Sequence, residues 1–127
     1  MAAKSNTQRT MAVLRDDPNV LRYESTEKWQ AFAPTPGKPG RRGIRKDLFG
    51  IIDVQALDKI KGVRGIQSTG SDFYGHRKAL LTDPGKKAAC MDWLSMPGTT
   101  LELWGWKKKK NRWVVKIQSF TLMDFLF

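Results

Sequence analysis

The chain has 127 residues, 40% hydrophobic and 28% charged, which predicts one globular domain over residues 1–127 rather than a disordered chain. Lysine and arginine number 23 against 12 acidic residues, so the net charge of +11 favours a polyanionic partner, nucleic acid before a membrane surface. No apolar run reaches the roughly 20 residues of a membrane-spanning helix, and the N-terminus lacks the apolar core of a signal peptide. The single cysteine, Cys90, fits a reducing cytoplasm and is expected to be a small buried hydrophobic residue.

The N-terminal third is predicted to hold a helix, a strand and a basic loop. A partial 3.6-residue apolar stripe predicts the helix over residues 7–16. Residues 20–32 alternate well enough to form one strand, with Glu27 on the same face as Trp29. Residues 33–43 are too rich in proline and glycine for a regular element, and this basic loop is long enough to be functional.

Two strands joined by a short polar turn, residues 51–57 and 63–69, are the centre of the predicted sheet. If the turn is centred on Ile60, antiparallel pairing places the carboxylate of Asp53 beside the amide of Gln67. An acid within such a strand costs free energy unless something there uses it, and a metal ion is one such user. The predicted pairs are Leu57 with Val63, Gln55 with Gly65, and Asp53 with Gln67.

The C-terminal half is predicted to contain two helices and a second hairpin. One helix begins after Ser71 or Asp72 and the next has Pro84 at its first position. Residues 99–120 form the hairpin, and a turn at Lys109–Lys110 pairs Trp106 with Trp113. This aromatic face is expected to pack under the helices rather than to stack bases. The apolar tail, residues 121–127, is expected to dock on the body or on a second subunit, the body being favoured. The predicted class is therefore α/β, with helices against one sheet.

Several stretches of the chain resemble one nuclease superfamily. They are Glu27-Lys28-Trp29, RKDLFGIID at residues 45–53, GIQST at residues 65–69, and LELWGW followed by a basic turn at residues 101–113. Together they are similar to small phage and prophage proteins of the PD-(D/E)XK superfamily, which includes proteins like Holliday-junction resolvases and restriction endonucleases. The resemblance implies a single-domain restriction-endonuclease-like fold, with a mixed central sheet flanked by helices. It also implies a metal-dependent DNA endonuclease in the cytoplasm of a bacterial host or a phage-infected cell.

The resemblance also implies a set of site residues. The superfamily holds Mg²⁺ (or Mn²⁺) with a leading Glu, a strand Asp and a following (Asp/Glu)-x-Lys, and hydrolyses phosphodiester bonds. Matched position by position, Glu27 is the leading acid, Asp53 the strand acid, and Gln67 the first residue of the last motif. A main-chain carbonyl of Ile66 or Ser68 would add a ligand. Asp47, with Gly50 to bend the chain back toward Asp53, is either a further metal ligand or the partner of a nearby arginine.

The chain departs from the superfamily pattern at two positions. Gln67 is neutral, and an amide oxygen binds a hard cation more weakly than a carboxylate does. Thr69 stands where a lysine is expected, and a hydroxyl does not stabilise a charged transition state as an ammonium does. Lys78 on the next helix, with Arg77 as the alternative, is predicted to supply the missing positive charge.

DNA is the expected partner, and the basic residues near the motifs are its predicted contacts. The lysine run at the second hairpin is equally explained as a solvated turn that protects a sheet edge. His76 is expected to contact phosphate or to be solvated. A non-catalytic DNA-binding protein with the nuclease fold is the alternative function, a protein–protein modulator using the tail is a third, and a homodimer is plausible. The predicted DNA contacts are Lys38, Arg41, Arg42, Arg45, Lys46, Arg77, Lys107, Lys108, Lys109 and Lys110.

Overall fold

A mixed five-stranded sheet with helices on both faces forms the body of the protein. The structure is a computed structural model that describes residues 4–31 and 43–126, with the backbone alone described at 28–31 and 43–46. The helices are α1 (Asn6–Asp16), α2 (Phe73–Thr82) and α3 (Pro84–Ser95), and a short 3-10 helix spans Leu122–Phe125. The strands are β1 (Val20–Ser25), β2 (Lys28–Ala31), β3 (Gly43–Lys46), β4 (Val54–Asp58), β5 (Gly62–Thr69), β6 (Thr99–Lys109) and β7 (Arg112–Phe120).

The strand order in the main sheet is β1-β4-β5-β6-β7, and its one parallel pair is β5 with β6. Parallel neighbours need a crossover connection, and α2 and α3 supply it. Strands β2 and β3 form a separate antiparallel ribbon. The protein is thus α/β, and its mixed sheet flanked by helices confirms the predicted class at this level.

Two apolar cores lie on opposite faces of the sheet. On one face Leu14 of α1 packs with Val54, Ile66 and Trp104. On the other face α2 and α3 cover a larger cluster. Its fully buried members are Ile51, Ile52, Leu80, Cys90, Leu101, Leu103 and Phe125.

The helices follow their local signals closely. Helix α1 begins one residue earlier than predicted, because Ser5 and Gln8 form a reciprocal capping box. Helix α3 has Pro84 at its first position, as predicted, and the Asp83 side chain accepts the Lys86 N–H at 3.0 Å. Cys90 is fully buried, as expected, and burial raises the pKa of its thiol to about 11. None of the described helices is long and apolar enough to cross a bilayer.

Two predicted strands are each shorter than expected. The strand at residues 20–32 is wrong as one element, because β1 leaves the sheet after Ser25 and the chain re-enters a different ribbon as β2. The Thr26 N–H donates to the carbonyl of Asp53 at 2.8 Å, and this bond fixes the break. The strand predicted from Ile51 begins instead at Val54, since the preceding residues form a tight turn.

The second hairpin has the predicted strands but a different register. Its turn lies at Lys110 and Asn111, whose φ values are 48° and 63°. The predicted turn at Lys109–Lys110, and with it the predicted pair of Trp106 with Trp113, was therefore wrong. Two successive positive φ values suit a two-residue hairpin turn, which needs the asparagine inside it. The observed pairs are Trp106 with Val115, Trp104 with Ile117 and Lys108 with Trp113.

The register shift of two residues leaves the faces of this hairpin unchanged. Trp104 and Trp106 are buried against α1, as predicted. Trp113 and Ile117 are exposed, so the prediction that the whole face packs under helices was wrong. The tail docks on the body through Phe125, whose ring lies 5.7 Å from that of Phe120.

A buried ion network joins β4, β5 and β6. The guanidinium of Arg64 donates to both oxygens of Glu102 at 2.8 Å and to Asp58 at 3.2 Å, and all three side chains are buried. The other oxygen of Asp58 accepts the N–H groups of Ile60 and Lys61. These bonds, that from Lys61 first, lower the pKa of Asp58. The network therefore fixes both the hairpin turn and the parallel pairing.

Removal of Arg64 should destabilise the fold. Arg64→Met leaves two carboxylates buried without their cation, and we expect the free energy of unfolding to fall by about 3 kcal/mol in urea denaturation. Arg15→Ala, which removes a solvent-exposed ion pair with Asp16, is the control and should change little. Equal effects of the two substitutions would contradict the structural role of Arg64.

Candidate functional site

A tight turn before β4 brings two acidic residues together. Phe49 and Gly50 both have positive φ, 56° and 74°, and the N–H of Leu48 donates back to the carbonyl of Ile52 at 2.9 Å. The bend expected at Gly50 is therefore present. The Nζ of Lys86 on α3 donates to the Gly50 carbonyl at 2.8 Å and fixes the turn to the helix layer. As a result, Asp47 lies beside Asp53.

Three carboxylates converge at this end of the sheet. Ligand oxygens of Glu27, Asp47 and Asp53 all lie within 4.8 Å of one another. Asp53 is 5% exposed, whereas the other two acids are half-buried. The break between β1 and β2, which the sequence did not predict, is what places Glu27 here.

Asp53 is held by β5 through both its backbone and its side chain. Its N–H donates to the carbonyl of Ile66 at 2.9 Å, and its Oδ2 accepts the backbone N–H of Ser68 at 2.7 Å. The predicted pairs of Gln55 with Gly65 and of Leu57 with Val63 are confirmed. The ladder ends at Val54, so the predicted pair of Asp53 with Gln67 does not form. Asp53 instead binds the residue directly after Gln67.

Glu27 is tied to the N-terminal helix. The hydroxyl of Thr7, in the first turn of α1, donates to Oε1 of Glu27 at 3.0 Å. Sequence reasoning missed the contact of Thr7 with Glu27, and it considered the carbonyl of Ser68 but not the N–H that binds Asp53. The capping box just before Thr7 was the available signal, because it marks where the helix begins and which residues lie in its first turn.

The electrostatics of the cluster favour a proton on one carboxyl group. Burial, first of all, and then the hydrogen bond and charge of Asp47 raise the pKa of Asp53 from 3.8 to about 8. The charge of Glu27 acts in the same direction, and the N–H of Ser68 opposes it. Among the described residues, the charges that shift this pKa are those of Asp47 and Glu27, so these two acids repel the Asp53 carboxylate.

Gln67, the residue before Ser68 on β5, has an unsatisfied side-chain oxygen. Its side chain is 4% exposed, and its Oε1 is buried without a hydrogen-bond partner among the described residues. Buried polar atoms of this kind are rare and costly. Thr69 is also buried, opposite Gly105 on β6. The position where the superfamily has lysine is thus uncharged and enclosed.

The predicted replacements for that lysine lie elsewhere on α2. The Nε of Arg77 donates to Gln118 on β7 at 3.0 Å, three strands across the sheet from β4. Lys78 and His76 are exposed on the helix, and none of the described contacts joins them to the acidic cluster. The catalytic role predicted for Lys78 or Arg77 and the phosphate contact predicted for His76 stay predictions.

The predicted DNA contacts fall into three groups. Lys38, Arg41 and Arg42, with most of the Pro/Gly loop, lie outside the described residues, and the side chains of Arg45 and Lys46 are likewise not described. Arg77 is half-buried on α2. The four lysines of the second hairpin, Lys107, Lys108, Lys109 and Lys110, are all exposed where β6 enters its turn.

The oxygen-rich composition of the cluster limits what it can bind. Carboxylate and amide oxygens are ligands for hard cations such as Mg²⁺, Mn²⁺ and Ca²⁺. A cation bound by Asp53, Asp47 and Glu27 would relieve the repulsion between them. No protein-family model, curated protein or solved structure matches this chain, so its interpretation depends on the geometry of these residues.

Proposed function

We propose that the protein is a metal-dependent DNA endonuclease of the resolvase-like PD-(D/E)XK type. The observation that carries the proposal is the convergence of Glu27, Asp47 and Asp53 within 4.8 Å. Gln67, whose buried amide oxygen has no partner among the described residues, directly precedes Ser68, which binds Asp53. The sequence analysis predicted Asp53 and Gln67 as site residues from the central hairpin, and Glu27 from the first motif of the resemblance. The mixed sheet flanked by helices is compatible with the expected fold.

The residues present fit a divalent cation. Asp53, Asp47 and Glu27 supply negative charge, and the orphaned oxygen of Gln67 gains a partner if it joins them. When bound, Mg²⁺ or Mn²⁺ would polarise a phosphodiester and lower the pKa of a water molecule. The chain itself contributes orientation, because the N–H of Ser68 and the hydroxyl of Thr7 hold Asp53 and Glu27 in place.

Positive charge outside the cluster supports DNA as the substrate. The chain carries 23 lysine and arginine residues against 12 acids, although three of those acids are gathered at one site. Exposed lysines at the second hairpin are available for phosphate contacts, which provide affinity without sequence information.

A non-catalytic DNA-binding protein is the second candidate function. The observation that favours it is Thr69, which is buried and uncharged where the superfamily pattern has its lysine. None of the described contacts brings Lys78 or Arg77 to Asp53 instead. Such a protein would keep the sheet and the basic surface and would lack cleavage.

Neutralising Asp53 should stabilise the metal-free protein. The raised pKa means that the folded state binds more protons than the unfolded state between about pH 4 and about pH 8, so stability falls as pH rises through that window. Asp53→Asn removes this loss and should raise Tm in chelator at about pH 8. It should also abolish the increase in Tm that Mg²⁺ gives the wild type.

Asp92→Asn, at an exposed acid of α3, is the control for that experiment and should leave both Tm values unchanged. A structural role for Asp53 predicts the reverse result, a lower Tm for Asp53→Asn in chelator. That result, together with an unaltered response to Mg²⁺, would contradict the metal site.

Gln67 provides a separate test of the same site. Gln67→Met replaces an unpartnered buried amide by an apolar side chain of similar length, and should stabilise the chelated protein by about 1 kcal/mol. The Mg²⁺ concentration needed to raise Tm should increase, because a ligand oxygen is lost. An unchanged Mg²⁺ requirement would exclude Gln67 as a ligand.

Cleavage is tested with labelled duplex, single-stranded, flap and four-way-junction DNA in Mg²⁺ or Mn²⁺. We expect the wild type to cut at least one of these substrates and Asp53→Asn to cut none, since the acid that positions the cation is gone. Equal cleavage by both proteins would refute the assignment. Absence of cleavage with retained DNA binding would select the second candidate function.

A further inference from the structure

A groove with basic and aromatic walls lies beside α1, on the sheet face opposite α2 and α3. Its volume is about 500 Å³. Strand β6, strand β7 and the outer side of α1 form its walls. We call it the Trp113 groove, and the residues that define it are Lys4, Arg9, Val13, Trp106, Lys108 and Trp113.

The hairpin register gives the groove a floor and a wall. Trp106 is the floor: it is 6% exposed, and its indole N–H donates to the Thr10 hydroxyl at 2.9 Å. Lys108 and Trp113 are directly opposed next to the turn, on the same face as Trp106. Trp113 is the wall and is 44% exposed. One indole is therefore structural, and the other is open to a ligand.

Arg9 holds the exposed indole in position. The guanidinium carbon lies 3.5 Å from the centroid of the Trp113 ring, a stacked cation–π contact. The Nη1 of Arg9 also donates to Asn6 on α1 at 3.0 Å. Because both contacts hold the Arg9 guanidinium against the ring, Trp113 is pre-oriented, which reduces the entropy that a ligand would lose in ordering it.

The chemistry of the groove selects a ligand with negative charge and a flat π-face. Among the residues that line it are three cations and no acid. Single-stranded nucleic acid presents both phosphates and bare base faces, whereas a duplex hides its base faces in the stack. We infer that the Trp113 groove binds single-stranded DNA, with a base stacked on Trp113 and phosphates on Lys4, Arg9 and Lys108.

A chain of three hydrogen bonds connects Trp106 in this groove to the acidic cluster. The Thr10 hydroxyl accepts the Trp106 N–H and lies 2.7 Å from the Ser68 hydroxyl, and the backbone N–H of Ser68 binds Asp53. Thr10 on α1 and Ser68 on β5 thus couple the position of Trp106 in the groove to that of Asp53 in the cluster. The substrate of the enzyme would then be DNA with an unpaired stretch. This last step rests on the proposed function, but the binding itself does not.

The test measures the binding of a labelled oligothymidylate and of a labelled duplex of equal length. Binding is measured by fluorescence anisotropy in the presence of a chelator, so that no DNA is cut. Trp113→Ala should weaken binding of the single strand about 5- to 100-fold, the range for loss of one stacked base. Trp113→Phe should keep most of the affinity. Duplex affinity should change less than about twofold in both variants.

Val114→Ala is the matched control. Val114 is 43% exposed and adjoins Trp113 on β7, but it projects from the opposite face of the sheet, so single-strand affinity should stay at the wild-type value. Because Trp113 is exposed, far-UV circular dichroism and Tm of Trp113→Ala should match the wild type. If that variant does not fold, Trp113→Phe and Lys108→Gln carry the test, and Lys108→Gln should reduce the salt dependence of single-strand binding.

The possible outcomes separate this inference from the proposed function. Equal single-strand affinity of the wild type and Trp113→Ala, or an equal loss for duplex, overturns the inference whether or not the protein cuts DNA. Binding of single strands that depends on Trp113 supports it even if no substrate is cleaved, in which case the proposed nuclease activity alone fails.

Discussion

Burial of the Asp53 carboxylate is the constraint on which the rest of the site depends. The acid is enclosed by the sheet and by the turn that begins at Asp47, and its pKa is raised to about 8 because desolvation and neighbouring acids disfavour its charge. A fold does not gain stability from such an arrangement. The arrangement is explained if a cation completes it, which is the basis of the proposed metal-dependent activity.

A second group of buried acids in the same sheet provides a comparison. Asp58 and Glu102 are also enclosed, but the guanidinium of Arg64 contacts both of them. In this part of the sheet, Arg64 therefore neutralises the buried acids Asp58 and Glu102 and stabilises the fold. Among the described residues, the charges that shift the pKa of Asp53 are those of the acids Asp47 and Glu27, and this difference supports the proposed metal site.

Helix α1 links the two surfaces that the proposals concern. Thr7 contacts Glu27 in the acidic cluster, while Arg9 stacks on Trp113 and Thr10 contacts both Trp106 and Ser68. One short helix thus positions a carboxylate and an aromatic wall at once.

The sequence by itself determined the features that depend on neighbouring residues: the pairing of Gln55 with Gly65 across the first hairpin, the bend at Gly50 and the start of α3 at Pro84. The tertiary structure alone decided the break at Thr26 that delivers Glu27, the contact of Thr7 with it, and the burial of Trp106 but not of Trp113. Local patterns cannot specify these features, because each depends on contacts between residues that are far apart in the chain.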